Sequence, residues 1–450
     1  MEENKSQKMG TMPVGKLLFQ MSFPIVISML VQSIYNVVDS MFVSRVSEEA
    51  LTAVSLAFPV QNVMLAFAIG IGVGAGALLG RFLGMGDSRS VGSVAMHGYA
   101  LAGIIYVIFA ILGILFSDAF ARNQSQSQII YEYTRDYLSI VTVFSVGIFF
   151  QLVAEKLLQA TSLTYYTMIV QSVGAVVNII LDPILIFGLF GFPRLEVKGA
   201  AIATVIGQIS GAVLGIIINK VKNKEIKISF GKFKFHADIL RQIFWIGLPS
   251  IVMTSVSSVV VFAINTILQR FGQSAIAAYG VMFKLQTFAF LPVQGLSNAL
   301  VSIVAYNYGA RLKERIKDGI KKAIGSGFVI VLILVIILWV FPNQLLDLFH
   351  ATDDMRRIGV PMIRIVSLSY VVASVSIVAV GVLQSLGNWQ SAILQSVLRQ
   401  LLILVPIFYL LSLTGNLDIV WWSFLIAEGL DAIYCIYILK RDIRKKVDVL

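Results

Sequence analysis

Twelve runs of mainly apolar residues follow one another along the chain, at 17–43, 51–80, 92–116, 137–159, 165–190, 199–219, 242–269, 275–306, 319–341, 359–386, 391–413 and 418–439. About 20 such residues, at 1.5 Å rise each, cross the roughly 30 Å hydrocarbon core of a bilayer. Lipid offers no hydrogen bonds to a bare backbone, so runs of this length are expected to be helical. The expected fold class is therefore an all-α polytopic membrane protein with twelve transmembrane helices. Only 13% of the 450 residues are charged and 58% are hydrophobic, whereas soluble domains carry roughly 25% charge. That is too little charge to solvate a multidomain soluble enzyme. A disulfide-stapled secreted protein is excluded as well, because Cys435 is the single cysteine. Breaker or polar signals punctuate the connectors, as at Gly84-Met85-Gly86-Asp87, Gly191-Phe192-Pro193 and Thr414-Gly415-Asn416. The first apolar run is too long for a signal-peptide core and lacks a small-residue cleavage site, so it is expected to stay in the mature protein.

The net charge of +11 is distributed unevenly. With the N-terminus in the cytoplasm, segments on that side, counted with the span ends that adjoin them, hold 25 Lys and Arg, the outer loops hold 8, and Lys284 and Arg364 fall deeper inside spans. The basic clusters at 220–241, 311–322 and 440–446 all fall on one side. The positive-inside rule makes that side cytoplasmic, with both termini there and the chain in the plasma or inner membrane. The basic balance then reflects topology, with attraction to anionic membrane lipids, and no nucleic-acid partner is expected.

The two halves align at a constant offset of 225. Pro24 matches Pro249, Arg45 matches Arg270, Gln61 matches Gln286, Gly70 matches Gly295, and Val153 and Gln159 still match Val378 and Gln384. Six spans per half give both halves the same orientation, which predicts a pseudo-two-fold along the membrane normal and a substrate path between or within two lobes. The expected organisation is a cytoplasmic segment 1–16, an N-lobe 17–219, a basic linker 220–241, a C-lobe 242–439 and a basic tail 440–450.

The halves differ in polarity. Asp39 in the first span falls against Ile264, and Asp182 in the fifth against the apolar stretch around Val405-Pro406. A carboxylate in a bilayer costs about 2.5–3.5 kcal/mol or more, so it faces a cavity or a partner. Ser28, Gln32, Tyr35, Asn36 and Asp39 form one helical stripe. Asn178 and Asp182 are spaced i, i+4, as are Thr204 and Gln208 in the sixth span. The first and fifth spans both run outward, with both acids past the middle, so the acids are expected to meet in the outer half of the first lobe. Asp39, Asn178, Asp182 and Thr204 would then form an oxygen-rich cluster suited to a hard cation or a shared proton. Pro24 lies upstream on the first span, where the missing backbone donor permits a hinge.

In the second half, Lys284 and Glu428 lie at similar depth in their spans, with Asp431 one turn further on; they are expected to form a neutralising pair or, in the alternative, a second ion or substrate site. Glu155, near the end of the fourth span, reads as a cytoplasmic-surface residue, with substrate contact as the alternative. Gly72, Gly76, Gly80 and Gly84 recur every four residues as a face for close helix packing. No P-loop is present, so no ATP use is expected, and no metal or nucleophile constellation suggests an enzyme. His97, His236 and His350 are widely scattered.

With these residues in view, the chain resembles the multidrug and toxic compound extrusion (MATE) family. The resemblance rests on Phe23-Pro24, Gln32, Tyr35 and Asp39 in the first span, Asn178-Ile179-Ile180-Leu181-Asp182-Pro183 in the fifth, and Gly199 to Thr204 in the sixth. Ala305-Tyr306-Asn307-Tyr308-Gly309-Ala310 and Leu383-Gln384-Ser385-Leu386-Gly387 add to it in the second half. It covers residues 15–440. It implies export of amphipathic, often cationic drugs or toxic organic cations, driven by inward H⁺ or Na⁺ and by alternating access of two lobes, by a monomer without cofactors. By motif, Asp39, Asn178, Asp182 and Thr204 would hold the proton or Na⁺, the one metal ion implied. Gln32 and Tyr35, with Asn36 and Gln208 beside them, would line the drug cavity. Family members that carry acids in the seventh and tenth spans differ from this chain, which has Thr254, Ser257 and Asn265 in the seventh and no acid in the tenth. The competing reading is a flippase for lipid-linked sugars or peptidoglycan precursors. Such a pyrophosphate cargo calls for several buried Arg or Lys, which the first-lobe spans lack.

Overall fold

The computed structural model describes residues 7–226, 234–349 and 351–450. The first six residues of the N-terminal segment, residues 227–233 of the expected linker and His350 therefore lie outside the described residues. The described chain is helical throughout. The first half contains α1 (Val14–Ser44), α2 (Glu48–Gly84), α3 (Ser88–Gln124), α4 (Gln128–Val143), α5 (Val146–Ala160), α6 (Thr164–Phe187) and α7 (Val197–Val221). The second half contains α8 (Ala237–Leu268), α9 (Gln273–Gly309), α10 (Lys313–Val340), α11 (Asp353–Ser385), α12 (Trp389–Val397), α13 (Val405–Ser412) and α14 (Leu417–Asp442). A π-helical segment, Leu398–Leu404, joins α12 to α13.

Eleven spans among the described residues are long and apolar enough to cross a membrane, counting α12 to α13 as one. A twelfth arises if α4 and α5, bent by 46° at their junction, form one broken span. The break falls at Phe144-Ser145, where the Ser145 amide bonds back only three residues to the Thr142 carbonyl. Large apolar side chains such as Ile114, Leu115 and Phe262 are exposed, as lipid-facing helix surfaces require. The chain is a multi-pass membrane protein.

The connectors have local causes. Gly86 has φ of +75°, a conformation open to glycine without a Cβ penalty. It turns the chain so that Asp87 caps α3, accepting from the Ser90 amide at 3.1 Å. Ser47 caps α2 through the Ala50 amide in the same way. Asn416 caps α14 through the Asp418 amide at 2.9 Å.

Contacts group the chain into two compact units. One holds Met1–Thr11 and Ile27–Ile251, the other Met12–Val26 and Val252–Leu450. The division falls inside α1 and inside α8, two residues after Pro24 and Pro249, the pair related by the repeat. Within the first unit, the core of α2, α3 and α5 includes Leu79, Val94, Phe149 and Leu157, with Ile243 from the first part of α8. Gly72 and Gly76 lie directly against the α5 backbone at Leu152 and Lys156, as a small-residue face requires. Within the second unit, the core gathers α8 to α11 with α13 and α14, and Phe408 packs edge-on against Trp421 and Phe424.

Candidate ion and substrate site

The first unit draws the sequence-selected polar residues together through one close helix contact. Gly174 on α6 and Gly207 on α7 meet backbone to backbone; a Cβ on Gly207 would come within 2.7 Å of the Gly174 carbonyl oxygen. One turn from that contact, the Asn178 side-chain amide reaches the Asp182 Oδ1 at 3.3 Å and the Thr204 hydroxyl at 3.5 Å. Asp182 has no exposed surface, and Asn178, Thr204 and Asp39 are buried as well. The Asp39 carboxyl, arriving on α1, lies within hydrogen-bonding range of the Asp182 carboxyl.

The donors are outnumbered. Asp39 Oδ1, Asn178 Oδ1 and Asp182 Oδ2 are buried and accept from no donor among the described residues. Ionised carboxylates only accept, so the contact between Asp39 and Asp182 becomes a hydrogen bond when one of them carries a proton. Alternatively, the unsatisfied oxygens offer the hard donor set that an alkali cation takes. Among the described residues, no group of three or more His, Cys, Asp or Glu gathers to hold a metal ion.

A cavity of about 20 Å³ adjoins the cluster, lined by Tyr35, Asn178, Thr204 and Gln208 together with Gln151 and Gln171. That is room for roughly one water molecule. Gln32 is half-buried and Asn36 exposed, and neither lines this cavity. Pro24 lies within an unbroken α1, in the other unit.

Further polar residues that no sequence pattern marks join this site. Gln151 donates to both Gln171 and Glu155 at 3.0 Å. Glu155 is thus a buried member of this polar chain, and its reading as a cytoplasmic-surface residue does not hold. The Tyr137 hydroxyl accepts from Gln61 at 3.2 Å, which leaves its own proton free to serve the nearby carboxyls. In the second unit Glu428 binds Arg399 at 2.7 Å, not Lys284. Lys284 is exposed, with its ammonium 5.7 Å from the centre of the Phe349 ring. Similar depth was therefore a poor guide to pairing, because α14 packs on the π-helical segment that carries Arg399. His97 and His236 do meet: the His97 Nε2 accepts from the His236 amide at 2.8 Å, joining α3 to the start of α8.

The MatE family profile matches residues 24–184 and 249–410, the two halves of the repeat. Multidrug export protein MepA of Staphylococcus haemolyticus is 30% identical over 431 residues, covering 94% of this chain and 93% of that protein. Its counterpart in Staphylococcus aureus is 28% identical over 425 residues, covering 94% and 92%. A solved structure, described as the outward-facing conformation of a multidrug resistance MATE family transporter of the MOP superfamily, superposes with a TM-score of 0.92. It is 25% identical, and the match covers 99% of both chains. The chain belongs to the MatE family of multi-pass membrane transporters.

Proposed function

We propose that the protein exports amphipathic, often cationic drugs by antiport with H⁺ or Na⁺, through alternating access of its two lobes. The observation that carries this reading is the enclosed, donor-poor cluster of Asp39, Asn178, Asp182 and Thr204 in one unit of a MatE fold. The export activity named for the Staphylococcus relatives supports it. The cluster takes the coupling cation, and Tyr35 and Gln208, with Gln32 and Asn36 on the same faces, meet the drug.

The cavity beside the cluster accommodates a water, not a drug. Drug loading at this face therefore requires α1 to move, and Pro24 is the hinge. Support for that role comes from its position, two residues before α1 passes from one unit to the other. A cation entering the cluster and a cationic drug compete for the same carboxylate charge, which couples the two fluxes without ATP. Each charge moved down 100 mV supplies about 2.3 kcal/mol, to which the chemical gradient adds. The working unit is a monomer with both termini cytoplasmic.

Reconstituted vesicles with either a pH or a Na⁺ gradient imposed, one at a time, test the coupling. Drug addition should collapse one of the two gradients. Drug movement that dissipates neither would remove antiport as the mechanism.

A further inference from the structure

An exposed apolar stripe on α14 leads into a basic pocket. Ile426, Leu430, Ile433 and Tyr437 are all exposed, Ile433 by 68% and Tyr437 by 65%. Their spacing of four, three and four residues puts them on one face of the helix. From Ile426 to Tyr437 that face runs about 16 Å at 1.5 Å per residue, close to one leaflet of a hydrocarbon core about 30 Å thick. Lys440 and Arg444 continue the same spacing beyond Tyr437. With Arg441, Lys445 and Tyr437 they line a concave site of about 380 Å³, a volume in the range of small-molecule sites.

Four cations in one pocket repel one another, and the opposite face of the helix holds them in place. Past Asp442 the helix continues as a π-helical segment, Ile443–Val447. Lys446 ties that segment to the connector after α11, donating to the Leu386 carbonyl at 3.0 Å. Asn388, on the same connector, donates to Asp442 at 2.6 Å. Asp442 is buried and also pairs with Arg441 at 3.3 Å and Lys446 at 3.7 Å. Asp448, the other acid of the tail, pairs with Lys317 at 2.7 Å. Arg444 lies within electrostatic reach of Asp448. Even so, among the described residues the ion pairs of these two acids do not include Lys440, Arg444 or Lys445. The Arg441 Nε is buried and donates to no acceptor among the described residues. The pocket thus carries more positive charge than its neighbours neutralise.

We propose that this pocket binds the headgroup of one anionic phospholipid from the adjoining leaflet, with the acyl chains against the α14 stripe. The two parts of the surface match the two parts of such a molecule. The guanidinium groups of Arg441 and Arg444 suit phosphodiester oxygens, and Lys440 and Lys445 add charge. Tyr437 stands between chains and headgroup, the level that amphipathic rings favour. A free phosphate would use the cations and leave the stripe without a partner. A zwitterionic lipid would cover the stripe but bring a positive group of its own to the cations. The site holds one lipid in a fixed place, as distinct from the diffuse attraction of basic loops to a charged surface. It stands independently of the transport mechanism.

Native mass spectrometry of the full-length protein in mild detergent, titrated with dioleoyl phosphatidylglycerol or phosphatidylcholine, counts the lipids retained on each molecule. One phosphatidylglycerol should be held in preference to phosphatidylcholine. Lys440→Ala, Arg444→Ala and Lys445→Ala together should weaken it about 100-fold, since each cation near a membrane surface contributes roughly fivefold. Removing three charges elsewhere, by Lys220→Ala, Lys222→Ala and Lys224→Ala at the end of α7, should leave it in place. The charge-keeping set Lys440→Arg, Arg444→Lys and Lys445→Arg should retain the lipid. Arg444→Gln alone should weaken it several-fold and serves if the triple alanine variant does not fold. Inorganic phosphate and the chain-free headgroup, glycerophosphoglycerol, should compete poorly. Equal retention of the two lipids overturns the proposal, and so does an equal loss in the two alanine sets. An unchanged affinity in Arg444→Gln overturns it as well. Displacement by inorganic phosphate at the lipid's own concentration would make this a site for a free anion and overturn the assignment to lipid.

Discussion

Val26 lies against Gly295 so closely that a methyl group on the glycine would overlap its side chain. In the first unit Ile251 stands in the same relation to Gly70, and both residues of the second contact sit 225 positions from their counterparts. Each unit thus receives the residue just after a repeat proline, at a glycine that leaves room for it. Alanine at either glycine should destabilise, by about 1–3 kcal/mol as for overpacked cores. Gly70→Ala should be the worse of the two, because its methyl also meets the Gly247 carbonyl oxygen at 2.9 Å, which gives way less easily than a valine methyl. Thermal melting of the two variants in detergent orders them; the reverse order would contradict this packing.

Arg399 and Glu428 form a buried pair, and removing one partner strands the other. Arg399→Met alone should cost about 3–5 kcal/mol, while Arg399→Met with Glu428→Gln should recover much of the loss. A double variant as unstable as the single one would show that the guanidinium acts through other contacts.

Asp87 lies between α2 and α3, and its hydrogen bonds to the Ser90 side chain and amide hold its carboxyl below the ordinary value of 3.8. A depressed carboxyl stabilises the fold above its unfolded value, and that stabilisation fades as pH falls through its folded value. Asp87→Ala should cost about 1 kcal/mol at neutral pH. Hydrogen exchange at the start of α3 reports it, and the difference between variant and parent should vanish only below the usual carboxylate range. A gap that closes near neutral pH would mean that Asp87 is not the cap.

Much of this architecture is legible in the residues themselves. Run length fixes the spans, and the fixed repeat makes Asp39 and Asp182 conspicuous, because Ile264 and the Val405-Pro406 stretch show that the fold does not require polarity there. Arg399 escaped for a physical reason: eight residues into its run it reads as belonging to the cytoplasmic end, and only the packing of α14 shows it enclosed. Tyr137 merely opens the fourth apolar run in the sequence, whereas the bend at Phe144-Ser145 sets it on the separate helix α4 within the core. The grouping of Met12–Val26 with the second unit is a long-range contact that no local pattern encodes.

Asn178 and Thr204 should tune the cluster instead of creating it, since each adds one polar group beside two acids. Thr204→Ala should weaken ion dependence several-fold while leaving the fold intact, at about 1 kcal/mol of lost interaction. Ion titration of transport in vesicles measures the shift, and an unchanged midpoint would take Thr204 out of the site.

Drug efflux from proteoliposomes holding Asp39→Asn or Asp182→Asn protein, each under an imposed H⁺ or Na⁺ gradient, addresses the coupling site most directly. Each amide keeps the size of the carboxyl and removes its charge and its ability to exchange a proton. Gradient-driven efflux should collapse in both variants while the protein remains folded and drug binding is still measurable. Full gradient-driven efflux by both would contradict the assignment of coupling to this pair.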